Sequence, residues 1–248
     1  MANAWREFDD MLARRRAAGR AAVFWWRDDD AAAPTPEAAR LLRLSAASGV
    51  PLALAVVPQA ADPALFASLH EGITVIQHGA DHRNRAGPGE KKTEFPAAEP
   101  EDQALARLAA ARLRLAALGG PRTLPVLAPP WNRLRGALVR RLTETGLHGL
   151  SGYGPRASAA PAPGLTQVNT HVDIVAWRAG RGFIGETEAL ALALAHLASD
   201  AGEPTGWLTH HAVHDAAAWG FLERLFESTR RAGARWARPD EVFGPSPR

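Results

Sequence analysis

Four times along this 248-residue chain a short apolar run stops abruptly in a cluster of polar side chains. Ala21 to Trp26 runs into Arg27-Asp28-Asp29-Asp30, and Ile73 to Gln77 runs into His78-Gly79-Ala80-Asp81-His82. Leu124 to Ala128 ends in Pro129-Pro130-Trp131-Asn132, and Gly206 to Thr209 ends in His210-His211, with His214 and Asp215 close behind. Apolar runs of this length read as buried strands. The segments between them carry helical patterning, which together describes an α/β domain. In α/β barrels the residues just past each strand converge at one end, where active sites form. Four such clusters predict one shared site there.

The connecting elements are marked by their ends. Thr35-Pro36-Glu37 offers a capping hydroxyl, a proline at the first helical position and an acid in the first turn, so a helix is expected from there to near Gly49. Pro51 to Val57 reads as a strand, and Asp62-Pro63 opens a short helix. Further helices are expected over Glu101 to Leu118, around Leu134 to Thr145, and over Glu186 to Ser199 and Ala216 to Arg231. Short strands are expected near Gly149, over Leu165 to Asn169 and near Phe183. Residues 83–100 read as a long loop of the kind that is functional or mobile, and 154–164 as a Pro/Ala/Gly-rich connection. No internal repeat or composition break divides the chain, so one domain over 1–248 is expected, with its core at about 21–243.

Composition narrows the chemistry. With no cysteine, disulfides and thiolate-held metals are excluded, and any metal must sit on imidazole and carboxylate. The sequence pI of ≈ 10.1 invites a nucleic-acid reading. The net charge is only +3, however, and the basic residues are spread along the chain, nearly all of them arginine. The one run of three, Arg14 to Arg16, reads as a solvated helix face, so no nucleic-acid partner is expected. The apolar stretch before Arg27 is too short for a secretory signal, and no run approaches transmembrane length. The expectation is a cytoplasmic protein with no membrane partner; oligomeric state is not legible.

His78 and His82 stand four apart, so both imidazoles can reach one ion from one helical turn; two hydrogen-bonded loop histidines would show the same spacing. Asp28, Asp29 and Asp30 are adjacent carboxylates after the apolar run Val23-Phe24-Trp25-Trp26. Their repulsion needs a cation or an arginine to offset it, unless they form an exposed acidic turn. Two histidines and a carboxylate suit zinc with an open position for water, and a second carboxylate beside that water would serve as general base.

In order along the chain these motifs resemble those of the polysaccharide deacetylases of carbohydrate esterase family 4, the group that contains the NodB chitooligosaccharide deacetylase. Asp28-Asp29-Asp30-Ala31 is similar to the family's Thr-Phe-Asp-Asp-Gly, which implies Asp29 as base and Asp30 as metal ligand; a register one residue earlier fits too. His78 and His82 match His-Ser/Thr-x-x-His, with Gly79 in place of the hydroxyl residue. Ala128-Pro129-Pro130-Trp131-Asn132 resembles Arg-x-Pro-Tyr/Phe-Gly, which gives the oxyanion-binding N–H to Trp131. Ala128 stands where the family has arginine, and Arg27 and Arg133 are candidates to replace it. Asp173-Ile174-Val175-Ala176-Trp177 keeps part of Asp-x-x-Asp-Trp. Trp207-Leu208-Thr209-His210 resembles Leu-x-Leu-His, making His210 the general acid, with His211 and His214 as competitors.

The resemblance implies a distorted (β/α) barrel, a divalent metal, most simply Zn2+, on Asp30, His78 and His82, and removal of an acetyl group from a small-molecule or oligosaccharide substrate. Asp28, Arg83, Lys91, Lys92, Asn132, Asp173, Trp177, His211 and His214 are the residues expected on the substrate side. Asn169 and His171 belong either to that pocket or to a strand-end hydrogen-bond network. The same fold and metal would also suit a small amide or ureide, or a retired binding protein.

Overall fold

The structure is a computed structural model describing residues 2–244. Its centre is strand β1, Val23–Ala31. Parallel to it on one side run β2 (Leu52–Val56), β3 (Ile73–His78), β4 (Thr123–Ala128), β5 (Gly149–Leu150) and β6 (Thr166–Gln167). On the other side lie β7 (Val172–Asp173) and β8 (Thr205–Thr209), in the order β1-β8-β7, while β9 (Arg235–Trp236) pairs with the start of β1.

This order forces the sheet to curl. Laid flat, eight strands would hold β6 and β7 on the order of 34 Å apart at about 4.8 Å per neighbour. Only residues 168–171 join these two edges, and a chain rising about 3.3–3.6 Å per residue spans on the order of 17 Å over those steps. The edges therefore meet, and the sheet becomes the distorted (β/α) barrel expected from the motif order. Trp25 Nε1 donates to Asn169 O at 3.3 Å across the interior, and His171 N donates to Gly206 O at 2.7 Å along the seam.

Helices cover the outside: α1 (Ala2–Ala17), α2 (Pro36–Ser48), α3 (Pro63–Ala67), α4 (Glu101–Gly119), α5 (Gly136–Arg141), α6 (Glu186–Ser199) and α7 (Ala216–Arg231). Thr35 caps α2 by accepting from Ala38 N, and Gly49 at φ 69° closes it, as the sequence predicts. Trp5, Phe8 and Leu12 seat one face of α1 in the outer core, beside Phe221 of α7. The last helix, α8 (Pro239–Phe243), closes the N-terminal end of the barrel, where Phe243 stands edge-on to Trp25 at 5.6 Å.

Strand alternation on β1 divides its side chains between two environments. Phe24 and Trp26 pack outward among the helices. Trp25 points inward and shares the barrel interior with Ala53, Ala55, Ile76, Val126, Ala128 and Val168. One large ring is accommodated because its neighbours are small, Gly206 most of all: a Cβ there would lie 2.4 Å from Trp25 Nε1 and 2.7 Å from Asn169 O.

Several elements differ from expectation. The first strand, expected over Ala21 to Arg27, runs on through the aspartates to Ala31 because each of their charges is met. The strand expected near Phe183 is a single antiparallel bridge to Val175. Strands β7 and β9 are too short to leave a pattern in the sequence. Gly206→Ala is expected to destabilise the fold by roughly 1–3 kcal/mol through overpacking against Trp25, measurable as a lower urea midpoint with an unchanged slope.

Candidate metal centre and cleft

The C-terminal ends of β1, β3, β4, β7 and β8 surround a cleft of ≈ 690 Å³ that includes Asp29, Asp30, His78, His82, Trp131 and His210 on its walls. At the end of β1, Asp30 leaves the pleat at φ 72° and turns its carboxylate toward β3. Asp30 Oδ1 lies 3.0 Å from His78 Nε2 and 3.1 Å from His82 Nε2. Burial works against ionisation of Asp30, but the two facing imidazoles outweigh it and hold its pKa far below the usual carboxylate range. Burial also works against a charged His78, yet Asp29 and Asp30 raise its pKa. Asp30 Oδ1 is buried without a hydrogen bond of good geometry. The three ligand atoms lie within 4.8 Å of one another. One carboxylate oxygen and two imidazole nitrogens converging in this way fit a divalent cation of zinc type.

The turn that carries His82 is held by a residue the sequence reading did not single out. Glu94, buried in the 83–100 loop, accepts from Ala80 N at 2.9 Å, Asp81 N at 3.1 Å and His82 N at 3.3 Å. Arg107 of α4 approaches the same carboxylate at 3.1 Å. Gly79 explains itself here: at φ 62°, with a Cβ that would sit 2.1 Å from Glu94 Oε2, the position has no room for the expected hydroxyl residue. Glu94 and Phe95 are buried, so the second half of the loop is anchored rather than free.

Asp29 points into the barrel against Arg27, which also faces inward. Arg27 is completely buried. Its Nη2 donates to Asp29 Oδ2 at 3.0 Å and Asn132 Oδ1 at 2.7 Å, and its Nε lies 2.9 Å from Asp29 Oδ1. Its Nη1 donates to Ser151 O at 2.8 Å and Ser151 Oγ at 2.7 Å. The guanidinium beside Asp29 thus comes from β1 itself. Arg133 instead donates to Lys92 O at 2.7 Å.

Across the cleft His210 Nε2 stands 4.0 Å from Asp29 Oδ2. Trp177 meets the His210 ring edge-on at 4.6 Å, and its Nε1 donates to Asp173 Oδ2 at 2.8 Å. Burial raises the pKa of Asp173, partly offset by His210. Backbone strain concentrates at this end. Of the six non-glycine residues with positive φ among those described, Asp30, His82, Trp131, Asn132 and Arg181 all line the cleft. Such conformations cost roughly 1–3 kcal/mol each and persist where their surroundings over-determine them.

Five expected substrate-side residues are not on the cleft wall. Asp28 faces outward because strand alternation sets it opposite to Asp29. There its Oδ1 lies 2.5 Å from His211 Nδ1, and its Oδ2 accepts from Thr209 Oγ1 at 2.6 Å and His211 N at 3.0 Å. His214 also lies behind the wall; its Nε2 accepts from His210 N at 3.3 Å, and burial lowers its pKa to about 4. Arg83 is a surface partner of Asp81, and Lys91 lines a neighbouring groove with Pro96 and Arg135. Lys92, Asn132, Asp173 and Trp177 do line the cleft, joined by Tyr153, Arg133, Arg178 and Arg181.

Asn169 and His171 belong to the strand-end network. His171, His196 and Glu203 form a second cluster with metal-like spacing. There, however, His171 Nδ1 accepts from Gly206 N at 3.0 Å, which leaves the neutral ring's proton on Nε2, the atom a metal would need. His171 and His196 are instead tied to Gly206 and Thr205 of β8, and Glu203 is paired with Arg156.

No protein-family model matches the sequence, and no curated protein matches it. Solved structures do. A family 4 carbohydrate esterase from Streptomyces lividans, in complex with acetate, matches with a TM-score of 0.57 and 16% identity over 92% of this chain and 97% of that one. A peptidoglycan N-acetylglucosamine deacetylase matches at 0.58 and 15% over 91% and 88%. A family 4 pseudoenzyme from Bacillus anthracis matches at 0.59 and 12% over 89% and 65%. The chain has the polysaccharide-deacetylase fold of carbohydrate esterase family 4. Because that fold also occurs in a pseudoenzyme, activity has to be argued from the site.

Two outcomes test the site's electrostatics. Arg27→Met leaves a buried carboxylate unpaired and is expected to cost roughly 3–5 kcal/mol, most of it regained in Arg27→Met/Asp29→Asn, with urea unfolding as the measure. Burial opposes both charges of the Asp28–His211 pair, but their mutual attraction lowers the pKa of Asp28 and raises that of His211. The Asp28 contribution is present above about pH 3.9 and lost as pH falls through its lowered value; the His211 contribution is full below about pH 6.5 and lost as pH rises through its raised value. His211→Gln should therefore cost more stability at pH 6 than at pH 9.

Proposed function

We propose that this chain is a metal-dependent hydrolase that removes an acetyl group from a carbohydrate-type substrate. The observation that carries the reading is the convergence of Asp30, His78 and His82 beside an arginine-paired Asp29, with His210 facing that carboxylate from β8. Asp30, His78 and His82 would hold the metal, and zinc suits the donor set best. Bound there, it supplies Lewis acidity, polarising the acyl carbonyl and acidifying water.

The remaining work falls to the chain's own residues. Asp29 takes the proton of the attacking water. Arg27 keeps that carboxylate in place, and the same guanidinium reaches Asn132 beside Trp131. The Trp131 N–H is assigned to the developing oxyanion, where a preorganised donor is worth most. Its left-handed φ of 54° is part of what aims it. His210 donates a proton to the departing amine or alcohol, a step an amide needs most because an amine anion is a very poor leaving group. Trp177, tied to Asp173, fixes the His210 ring from the other side.

The test is metal content and deacetylation of two acetylated oligosaccharides, one built of neutral sugars and one that carries uronates. The wild type is expected to hold one zinc per chain. Asp29→Asn should keep the metal while its rate falls about 10²–10⁴-fold, and His78→Ala should lose both metal and activity. A wild type that binds no divalent metal after reconstitution overturns the proposal, and a metal-loaded chain without activity would mark a retired member of the fold.

A further inference from the structure

Four cations on the cleft wall have no role in the chemistry above. Lys92 and Arg133 come from the loops after β3 and β4, and Arg178 and Arg181 from the loop between Val175 and Phe183. All four are exposed. Among the described residues no carboxylate lies within 4.0 Å of any of them, whereas Arg85 and Arg107, close to the same turn, are both paired.

The carboxylates on the same walls are engaged elsewhere. Asp29 is held by Arg27, Asp30 faces the two histidines, and Asp173 accepts from Trp177 Nε1 and Val175 N. Arg133 donates to the Lys92 carbonyl, which holds its guanidinium beside the backbone of the second cation. Unpaired like charges around a concave site raise the local concentration of anions. Arginine forks match a carboxylate in two-point geometry.

A second feature shares this cleft. Three large hydrophobic residues are exposed among those described, and two of them, Tyr153 and Trp177, line it. Exposed aromatic faces beside polar groups suit the flat apolar side of a sugar ring.

We propose that the acylated substrate is an anionic sugar, its carboxylate held by Lys92, Arg133, Arg178 and Arg181 and its ring lying against Trp177 and Tyr153. This rests on the deacetylase reading. It assigns the chain to carboxylated glycans rather than neutral ones such as chitin fragments.

The test compares two acetylated oligosaccharides of equal length, one of N-acetylglucosamine alone and one in which alternate sugars are uronates. Binding is measured by calorimetry on the zinc-loaded Asp29→Asn variant, which prevents turnover. The anionic sugar is expected to bind about tenfold more tightly at low salt, with the advantage shrinking as salt rises. Adding Lys92→Gln, Arg178→Gln and Arg181→Gln, all at exposed positions, should remove the advantage while leaving the melting temperature unchanged. Equal or weaker binding of the anionic sugar, binding of neither sugar, or a preference that survives the three substitutions overturns the inference. Deacetylation by the zinc-loaded wild type is scored separately. A chain that prefers the anionic sugar yet leaves both sugars acetylated keeps the charge inference and loses the deacetylase reading.

Discussion

The site is organised around one ion pair sealed inside the barrel. Arg27 and Asp29 sit two apart on the central strand, so both point inward; Arg27 is fully buried and Asp29 meets the cleft with only 2% of its surface. A buried pair is tolerable only if its remaining hydrogen-bonding groups are also met. Arg27 meets them by reaching Ser151 beyond β5 and Asn132 beyond β4. The guanidinium therefore does more than neutralise a carboxylate: it joins residues at the ends of β1, β4 and β5 by side-chain hydrogen bonds. Asn132 follows Trp131 in the chain, so the same cation is linked to both the candidate base and the candidate oxyanion donor.

The class of fold and the candidate ligand pair His78 and His82 were legible because each depends on residues close together in sequence. An apolar run followed by a polar cluster shows the end of a strand, and His78 at the end of β3 and His82 in the turn after it are brought together by that short turn rather than by a helix. What was not legible depends on residues far apart. Nothing near Gly79 announces that Glu94 will take the space of the expected hydroxyl residue, although the unusual glycine was a visible sign that something else must. Ala128 likewise signalled a missing arginine, but only the inward direction of position 27 distinguishes Arg27 from Arg133 as its replacement. Asp28, His211 and His214 were misplaced for a related reason. Proximity in sequence to a site residue says nothing about which face of a strand a neighbour occupies.

Strain follows the same geography. The backbone is forced left-handed at Asp30, His82, Trp131 and Asn132, the positions where side chains leave regular structure to face the cleft. Two of them are held by side chains from elsewhere: His82 by the Glu94 carboxylate under its turn, and Asn132 by Arg27. The Asp28–His211 pair plays a comparable part for β8. Asp28 holds the Thr209 hydroxyl and the His211 backbone N–H, on either side of His210, from behind, which makes a fully buried carboxylate outside the cleft part of what aims a histidine into it.

The position of β1 has a consequence for how the chain is made. It precedes every other described strand in the chain, yet its partners β8 and β9 and the helix that closes beneath Trp25 follow it only after all the other described strands. Until they arrive, the strand holding two adjacent tryptophans and three aspartates pairs on one side only, and Arg27 has Asp29 but not the barrel that shields it. Domains whose defining contacts join distant parts of the chain close slowly and late. Here the nascent polypeptide carries an open, half-paired sheet until the segment from β8 to α8 has emerged. Truncation near the C-terminus would remove the closing piece of the barrel and, with it, the enclosure on which the buried ion pair depends.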